Sequence, residues 1–160
     1  MDPSPRPRPA LEDGYPLAGL MRDVLGRGKP FRFEARGSSM YPAVRDGDVV
    51  TVAPLADDGP RTGDVVAFVH AATGGVRLHR VVGTAAGRYL VKGDNALASD
   101  GALDREALLG LVVGVERGGR ALRIAPPLLA AATARLSRCP GFTRLVRRVR
   151  RAVGAGEGRA

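Results

Sequence analysis

The chain has 160 residues, of which 44% are hydrophobic and 26% are charged. This length and balance predict one domain with a sizeable buried core, and they exclude a chain that is disordered throughout. The single cysteine, Cys139, excludes a disulfide within the chain and is expected to behave as a small apolar residue.

The formal net charge of +9 is unevenly distributed along the sequence. Residues 117–160 contain eleven arginines and one acid, Glu157, whereas the first 116 residues are close to neutral. A basic segment of this kind predicts an anionic partner, which could be a membrane surface, a nucleic acid or an acidic protein.

The first 15 residues predict a proline-rich leader without regular structure. They lack the apolar segment of a secretory signal. No stretch of the whole sequence approaches the roughly 20 apolar residues that span a bilayer, so no transmembrane helix is predicted.

A short helix is predicted to begin at Pro16 and to end at Gly26 and Gly28. Its apolar residues recur at helical spacing and are Leu17, Leu20, Met21, Val24 and Leu25. This face is expected either to pack on the rest of the domain or to lie on a membrane or a partner.

The sequence up to residue 124 then shows short apolar runs separated by turns that contain glycine. The predicted strands are Phe31–Ala35, Val49–Ala53, Val65–His70, Val76–Val82, Tyr89–Lys92, Leu109–Glu116 and Ala121–Ile124. Many short strands with closely spaced turns predict a mainly β fold, in the form of a compact barrel or sandwich.

Residues 125–160 are predicted to form a basic helical tail after the sheet ends at Pro126 and Pro127. Its last helix places apolar residues on one face and several arginines on the rest of its surface. Such a helix can lie in a lipid interface or pack on the sheet with its arginines in solvent. Nucleic-acid binding is disfavoured because the tail has one aromatic residue, Phe142, and no stacking pattern.

The segment from Gly37 to Pro42 is the most informative local pattern. Ser39 lies between a glycine and a proline, which predicts a tight turn directly after the first strand. Such a turn can hold a hydroxyl at the mouth of a groove beside a backbone N–H, as a nucleophile next to an oxyanion hole requires. Taken alone, the same pattern could equally be an ordinary loop.

Four further motifs follow in order, namely Gly47-Asp48-x-Val50, Gly63-Asp64-Val65-Val66, His79-Arg80-Val81-Val82-Gly83 and Lys92-Gly93-Asp94-Asn95. Together with Gly37-x-Ser39-Met40-x-Pro42 they resemble the ordered motifs of the signal peptidase I group of S24/S26 serine peptidases. The resemblance covers residues 31–116. It implies that residues 16–124 form a peptidase domain with the β fold of signal peptidases and LexA-type repressors.

Most bacterial members of this group carry a lysine at the position of His79. A histidine before Arg-Val-Val resembles instead the archaeal and endoplasmic-reticulum branch, which uses serine with histidine. The resemblance therefore implies Ser39 as nucleophile and His79 as general base, and an imidazole titrates in a suitable range for that role. The other histidine, His70, is expected to be structural or solvent-facing. Lys92 is the rival base, but the lysine of the serine-lysine branch aligns with His79, so a surface ion pair is expected for Lys92.

A carboxylate that holds the second nitrogen of His79 would fix its tautomer and stabilise the imidazolium. Asp94 and Asp100 are the two candidates. The resemblance favours Asp100, which matches the orienting aspartate of the histidine-using relatives. It implies a structural role for Asp94, which is expected to hold its loop.

Three neighbours of Ser39 complete the predicted site. Ser38 could donate a hydrogen bond to an oxyanion, but some relatives carry that donor at the position of Gly37, which leaves the backbone N–H of Ser39 as the alternative. Met40 is expected to pack beneath the turn and to line the small pocket for the residue before the cut. The aspartates of the neighbouring turns are expected to cap them and are Asp46, Asp48 and Asp64.

These residues lead to the hypothesis of a serine endopeptidase that cleaves extended peptides with small residues near the cut. A peptide-binding or processing accessory with the same fold and no hydrolysis is the alternative. A self-cleaving LexA-type regulator is disfavoured, because residues 1–15 cannot supply a helix-turn-helix domain. No metal-ligand spacing and no phosphate loop is present in the sequence, so no cofactor is expected.

The expected partners are a protein or peptide substrate and an anionic membrane surface bound through the tail. Typical signal peptidases carry an amino-terminal membrane anchor, and no such anchor is predicted in this sequence. The protein is therefore expected in the cytoplasm or on the surface of the cytoplasmic membrane.

Overall fold

The computed structural model describes residues 14–122. This part of the chain contains one α-helix, α1 (Gly14–Gly26), and one sheet of eight strands. The strands are β1 (Phe31–Glu34), β2 (Val49–Ala53), β3 (Val65–Val69), β4 (Val76–Ala85), β5 (Arg88–Lys92), β6 (Gly101–Leu103), β7 (Leu108–Arg117) and β8 (Arg120–Leu122). The predicted leader, apart from its last two residues, and the predicted basic tail lie outside the described residues.

The predicted mainly β fold is confirmed, and every strand pair within residues 14–122 is antiparallel. The strand order is β1-β2-β7-β3-β4-β5-β6, and β8 also pairs with β7. The strand β7 thus lies between β2 and β3, although it comes much later in the chain. Because β7 pairs with both β2 and β3, the strands β1 and β2 belong to the same sheet as β4 and β5.

Alternating side chains of β3 reach apolar clusters on both faces of the sheet, as the two-residue period of a strand requires. Val65 and Ala67 belong to a cluster that includes residues of α1, β2 and β7. Val66 and Phe68 belong to a second cluster on the opposite face, with residues of β4, β5 and β7. The central strands are therefore covered on both sides, and functional side chains on them are held by packing.

The predicted short helix is present and packs on the sheet against β1, β4 and β7. Met21 and Leu25 are buried in the core, whereas Leu20 is 53% exposed, so one member of the predicted apolar face lies outside the contact. The helix begins two residues earlier than predicted, and Pro16 fits its first turn because the N–H groups there have no intrahelical partner. No helix within residues 14–122 has the length and apolar character that crossing a bilayer requires.

The strand β4 has two partners, and this arrangement positions the site. Val76–Arg80 pair with β3, whereas pairing with β5 begins only at Arg80 and continues to Ala85. The first half of β4 is therefore flanked by β3 on one side and, among the described elements, by loops on the other. The two strands β4 and β5 are joined at Ala86 and Gly87, both at positive φ, as a tight two-residue hairpin turn requires.

Candidate active site

A pocket of about 930 Å³ lies between α1, β1, the first half of β4 and two loops. We call these loops the Ser39 turn (residues 37–42) and the Asp100 loop (residues 96–100). The apolar lining of the pocket includes Leu17, Phe33, Met40, Val44 and Leu78. The polar lining includes Ser39, His70, Arg77, His79 and Asp100. Three residues that the sequence places far apart, Ser39, His79 and Asp100, thus line one pocket.

The Ser39 turn exposes its serine and buries the residue after it. Ser39 is exposed, whereas Met40 is 3% exposed and packs in the core beneath the turn. Gly37 stands at a φ of 89°, which favours glycine, and its N–H donates to Asp46 Oδ1 at 2.7 Å. The N–H of Val44 donates to the Met40 carbonyl at 3.0 Å, which closes the turn. The local hydrogen bonds therefore hold the Ser39 side chain at the surface of the pocket.

The buried carboxylate of Asp48 connects the end of the β1–β2 connection to the sheet. Asp48 is 2% exposed; its Oδ2 accepts the N–H of Arg45 at 2.7 Å, and both of its oxygens accept from the Arg117 guanidinium at 2.8 and 2.7 Å. Burial raises the pKa of Asp48, but its bonds to Arg117 and Arg45 and their charges outweigh burial and hold the pKa below its usual value. Asp48 thus does more than the predicted turn cap, because it also links the turn to the end of β7.

Asp64 has the predicted role, since its Oδ2 accepts the N–H of Arg61, three residues earlier, at 2.7 Å. Asp46 instead accepts the N–H of Gly37, nine residues earlier, and so connects the start of the Ser39 turn to the end of the β1–β2 connection.

His79 lies on β4, opposite Val66 of β3, and is 4% exposed. Its Nδ1 is hydrogen-bonded to Asp100 Oδ2, and the ring centroid of Phe68 lies 5.7 Å from that of the imidazole. Burial lowers the pKa of His79, and the charge and hydrogen bond of Asp100 offset this only in part. The lowered pKa favours the neutral ring, and the neutral tautomer that donates Nδ1–H to Asp100 carries a lone pair on Nε2.

Gly93 lies between His79 and the Ser39 turn. A Cβ atom on Gly93 would stand 2.9 Å from His79 Nε2 and 2.8 Å from the carbonyl oxygen of Ser39. Because one point lies that close to both atoms, Nε2 and the Ser39 carbonyl oxygen are near each other in space. The sequence motif Lys92-Gly93-Asp94-Asn95 included this glycine, but its pattern gave no reason for a residue without a side chain here.

Asn95 joins the Ser39 turn to the strand that ends before Gly93. Its backbone N–H donates to the Ser39 carbonyl at 2.7 Å, and its Nδ2 donates to the Ser38 carbonyl at 3.1 Å. These two bonds set the position of the turn relative to His79. Sequence reasoning assigned no role to Asn95, although its place in a motif with Asp94 was a signal that the loop has a fixed structure.

The two candidate carboxylates have different partners. Asp94 is 2% exposed and accepts two hydrogen bonds from Arg80, at 2.8 and 2.7 Å, while Arg80 also donates to the Gly63 carbonyl at 2.6 Å. Asp94 is absent from the pocket lining, whereas Asp100 lines the pocket and contacts His79. The structure thus brings Asp100 to the histidine and uses Asp94 to hold the loop to β4.

The remaining predicted residues divide between the pocket and the protein interior. Gly37 and Met40 line the pocket, but Ser38 is half-buried and is not among the lining residues. His70 lies at the pocket, where its Nδ1 is 3.1 Å from Thr73 Oγ1. The expected surface position of Lys92 is wrong, because Lys92 is 6% exposed at the end of β5.

Within residues 14–122, no group of three or more histidine, cysteine or acidic side chains is arranged to hold a metal ion. A scan of the chain against protein-family models finds no match, and a search of curated proteins finds none either.

Proposed function

We propose that the protein is a serine endopeptidase of the signal peptidase I-like S24/S26 group. In this proposal Ser39 is the nucleophile, His79 the general base and Asp100 the carboxylate that orients the base. The observation that carries the proposal is the lining of one pocket by all three residues, with Asp100 bonded to Nδ1 of a buried histidine. That constellation is recognised by geometry and roles, independently of the order of its residues in the chain.

The chemistry follows from the two nitrogens of the imidazole. His79 Nε2 accepts the hydroxyl proton of Ser39 while Oγ attacks the scissile carbonyl, and the resulting imidazolium is stabilised by Asp100. The same proton then passes to the leaving amine as the peptide bond breaks, which leaves an acyl-serine ester. Water, deprotonated by His79, hydrolyses this ester and restores Ser39.

The oxyanion of the tetrahedral intermediate requires donors on the Ser39 turn. The N–H of Gly37 already donates to Asp46, and Ser38 is absent from the pocket lining, so neither is the preferred donor. We assign this role to the backbone N–H of Ser39, which shares its residue with the nucleophile. The hydrogen bonds that hold the Ser39 turn in place therefore also hold the backbone N–H of Ser39 in place.

The substrate is proposed to be an extended peptide that adds as a strand beside β1. Within the described residues β1 is an edge strand, and its residues Phe33 and Glu34 line the pocket opposite the first half of β4. An edge strand offers backbone donors and acceptors to such a peptide. The apolar lining around Met40, Val44 and Leu78 suits a small uncharged side chain near the cut.

Two finer features belong to the same proposal. The sheet is assigned to the compact barrel or sandwich of the signal peptidase group, on the strength of five motifs in family order. Residues 125–160 are assigned a basic amphipathic helix that binds an anionic surface of the cytoplasmic membrane. Processing would then take place at that surface.

Serine substitution is the direct test. Wild type, Ser39→Ala and Asp100→Asn are incubated with a peptide mixture derived from a proteome, and new peptide termini are counted by mass spectrometry. Ser39→Ala is expected to lower cleavage at least about 1000-fold, and Asp100→Asn about 100-fold or more, because each removes one member of a unit. Thr62→Ala is the control, since this exposed hydroxyl lies outside the pocket lining.

Cleavage by Ser39→Ala at the wild-type rate would exclude the proposal. Peptide binding by wild type without any new termini would favour the alternative of a non-hydrolytic accessory with the same fold. The sequence preference around new termini would at the same time show whether small residues precede the cut.

A further inference from the structure

A second cationic side chain reaches the Asp100 carboxylate from the same strand as the histidine. Arg77 precedes His79 by two positions on β4, so both side chains project from one face of the strand. Arg77 Nη1 lies 3.3 Å from Asp100 Oδ1, while His79 Nδ1 is bonded to Asp100 Oδ2. The two oxygens of one carboxylate are thus engaged separately by two neighbours on β4.

Asp100 needs such support because it ends an open loop. Leu97, Ala98 and Ser99 are exposed, and the loop is tied to the sheet by the N–H of Asp100, which donates to the Val91 carbonyl at 3.0 Å. That bond fixes the backbone of Asp100 but does not restrict rotation of its side chain. The Asp100 side chain is itself only 10% exposed, so its orientation is set by contacts inside the pocket.

We propose that Arg77 is a positioning residue that holds the second oxygen of Asp100 and thereby keeps the first oxygen directed at His79. This inference rests on the proposed function, because it gives a role in catalysis to a residue outside the Ser39, His79 and Asp100 set. Arg77 itself lines the pocket and is 42% exposed, so its head group remains in contact with solvent.

Arg77 also acts on the histidine through its charge. Burial is the main cause of the lowered pKa of His79; Asp100 opposes it, Arg77 adds to it, and the charge of Asp94 opposes it weakly. Of the other ionisable groups, Arg80 is paired with Asp94 and Lys92 is buried at the end of β5. Glu34, Arg36 and His70 also line the pocket, and Arg36 is paired with Glu34. Arg77 therefore orients Asp100 while limiting how far Asp100 favours the protonated imidazole.

The test follows the two histidines by NMR through their ring carbon signals as the pH is changed, in wild type, Arg77→Gln and Arg77→Lys. Arg77→Gln is expected to lower the pKa of His79, since the hydrogen bond that a misdirected Asp100 loses raises this pKa more than the Arg77 charge lowers it, and Arg77→Lys to keep it close to wild type. Arg88→Gln is the matched control, because Arg88 is 47% exposed and bonded to Asp104 in the same sheet, yet lies outside the pocket lining.

Kinetics give a second readout that a merely structural role would not produce. Arg77→Gln is expected to lower kcat about fivefold with less than about a twofold change in KM, because a misdirected base impairs the chemical step more than binding. The acid limb of the rate profile should move to lower pH in the same variant, following the pKa of His79. Arg77→Lys should restore most of both properties.

The proposal is overturned if the titration of His79 is the same in wild type and Arg77→Gln, even where peptides are cleaved and cleavage depends on Ser39. Conversely, a shifted His79 titration in a protein that cleaves no peptide supports the Arg77 contact and removes the proposed function. Thermal unfolding checks that each variant is folded. Arg77→Met, which keeps the length of the side chain without its charge, decides the question if the glutamine variant is unfolded.

Discussion

Gly93 is the residue whose absence of a side chain matters most for the proposed site. A Cβ there would crowd His79 Nε2, the Ser39 carbonyl oxygen and the Cβ of Ala96. The first two atoms belong to the proposed base and the proposed nucleophile. The φ of Gly93 is not in the left-handed region, so an alanine there would meet a steric obstacle without added backbone strain. The effect of a single methyl group can therefore be interpreted directly.

We expect Gly93→Ala to lower kcat at least about 100-fold, because displacement of the base by about 1 Å has a cost of that order. The measurement is peptide cleavage together with thermal unfolding. Gly19→Ala is the matched control: a Cβ on Gly19 of α1 meets nothing within 4 Å, so its activity should equal that of wild type. Full activity of Gly93→Ala would show that His79 Nε2 does not work from its present position.

The sequence was sufficient to propose Ser39 and His79, since each lies in a short motif with a recognisable neighbour pattern. The local sequence did not decide whether Asp94 or Asp100 contacts His79, because both follow β5 and no local pattern indicates which carboxylate points back toward β4. That depends on Arg80, which takes Asp94 as its partner. The burial of Lys92 was missed because burial of a charged strand end depends on neighbouring loops rather than on the strand pattern.

Among the connecting elements, the pair of Asp48 and Arg117 joins the β1–β2 connection to β7. Asp48 is buried and Arg117 is partly exposed, so loss of the carboxylate charge leaves an arginine only partly hydrated. The folded-state pKa of Asp48 is lowered, and its ionised form therefore stabilises the fold above the unfolded pKa of about 3.9. This contribution is lost as the pH falls through the folded-state pKa.

We expect Asp48→Asn to lower the free energy of unfolding by about 2 kcal/mol at pH 7, with the difference from wild type shrinking toward pH 3. Urea unfolding at several pH values measures both effects. Asp104→Asn is the matched control: Asp104 also accepts two bonds from one arginine, but its side chain is 60% exposed, so the expected loss is below about 1 kcal/mol. Equal losses in the two variants would contradict the role given to burial.

Strand positions were predictable to different degrees. The bounds of β2 agree with the sequence prediction, because Val49–Ala53 is an apolar run between clear turn residues. The strand β4 continues to Ala85, beyond the predicted end, since backbone pairing with β5 persists where the apolar pattern stops. The three-residue strand β6 and the 3-10 turn at Arg105–Ala107 were not predicted, because segments so short show no period.

At the level of the entire chain, the mainly β class could be predicted from composition and turn spacing, but the strand order could not. The placement of β7 between β2 and β3 depends on contacts between distant parts of the sequence. Local patterns contain no information on such pairings. The pocket is a product of that order, since it lies between β1 on one side and β4 on the other.

The basic tail gives a prediction that concerns the protein as a unit. Full-length chain is floated with vesicles of phosphatidylcholine alone or with added phosphatidylserine, beside a full-length variant in which four arginines become glutamine: Arg147, Arg148, Arg150 and Arg151. We expect binding only to the anionic vesicles and a loss of at least about 10-fold in the variant, since each basic residue near such a surface contributes about 1 kcal/mol. Equal flotation of both proteins would exclude lipid binding through these arginines.

The pocket draws its polar residues from two separate stretches of sequence. His79 belongs to β4, and Gly93 and Asp100 belong to the segment that follows β5. Ser39 comes from the β1–β2 connection and is joined to that segment through Asn95. Extra residues inserted at the exposed hairpin tip of Ala86 and Gly87 would lengthen the path along the chain but not the path across the pocket. Homologous chains can therefore carry insertions of different length at that tip while the pocket residues keep the same relative positions.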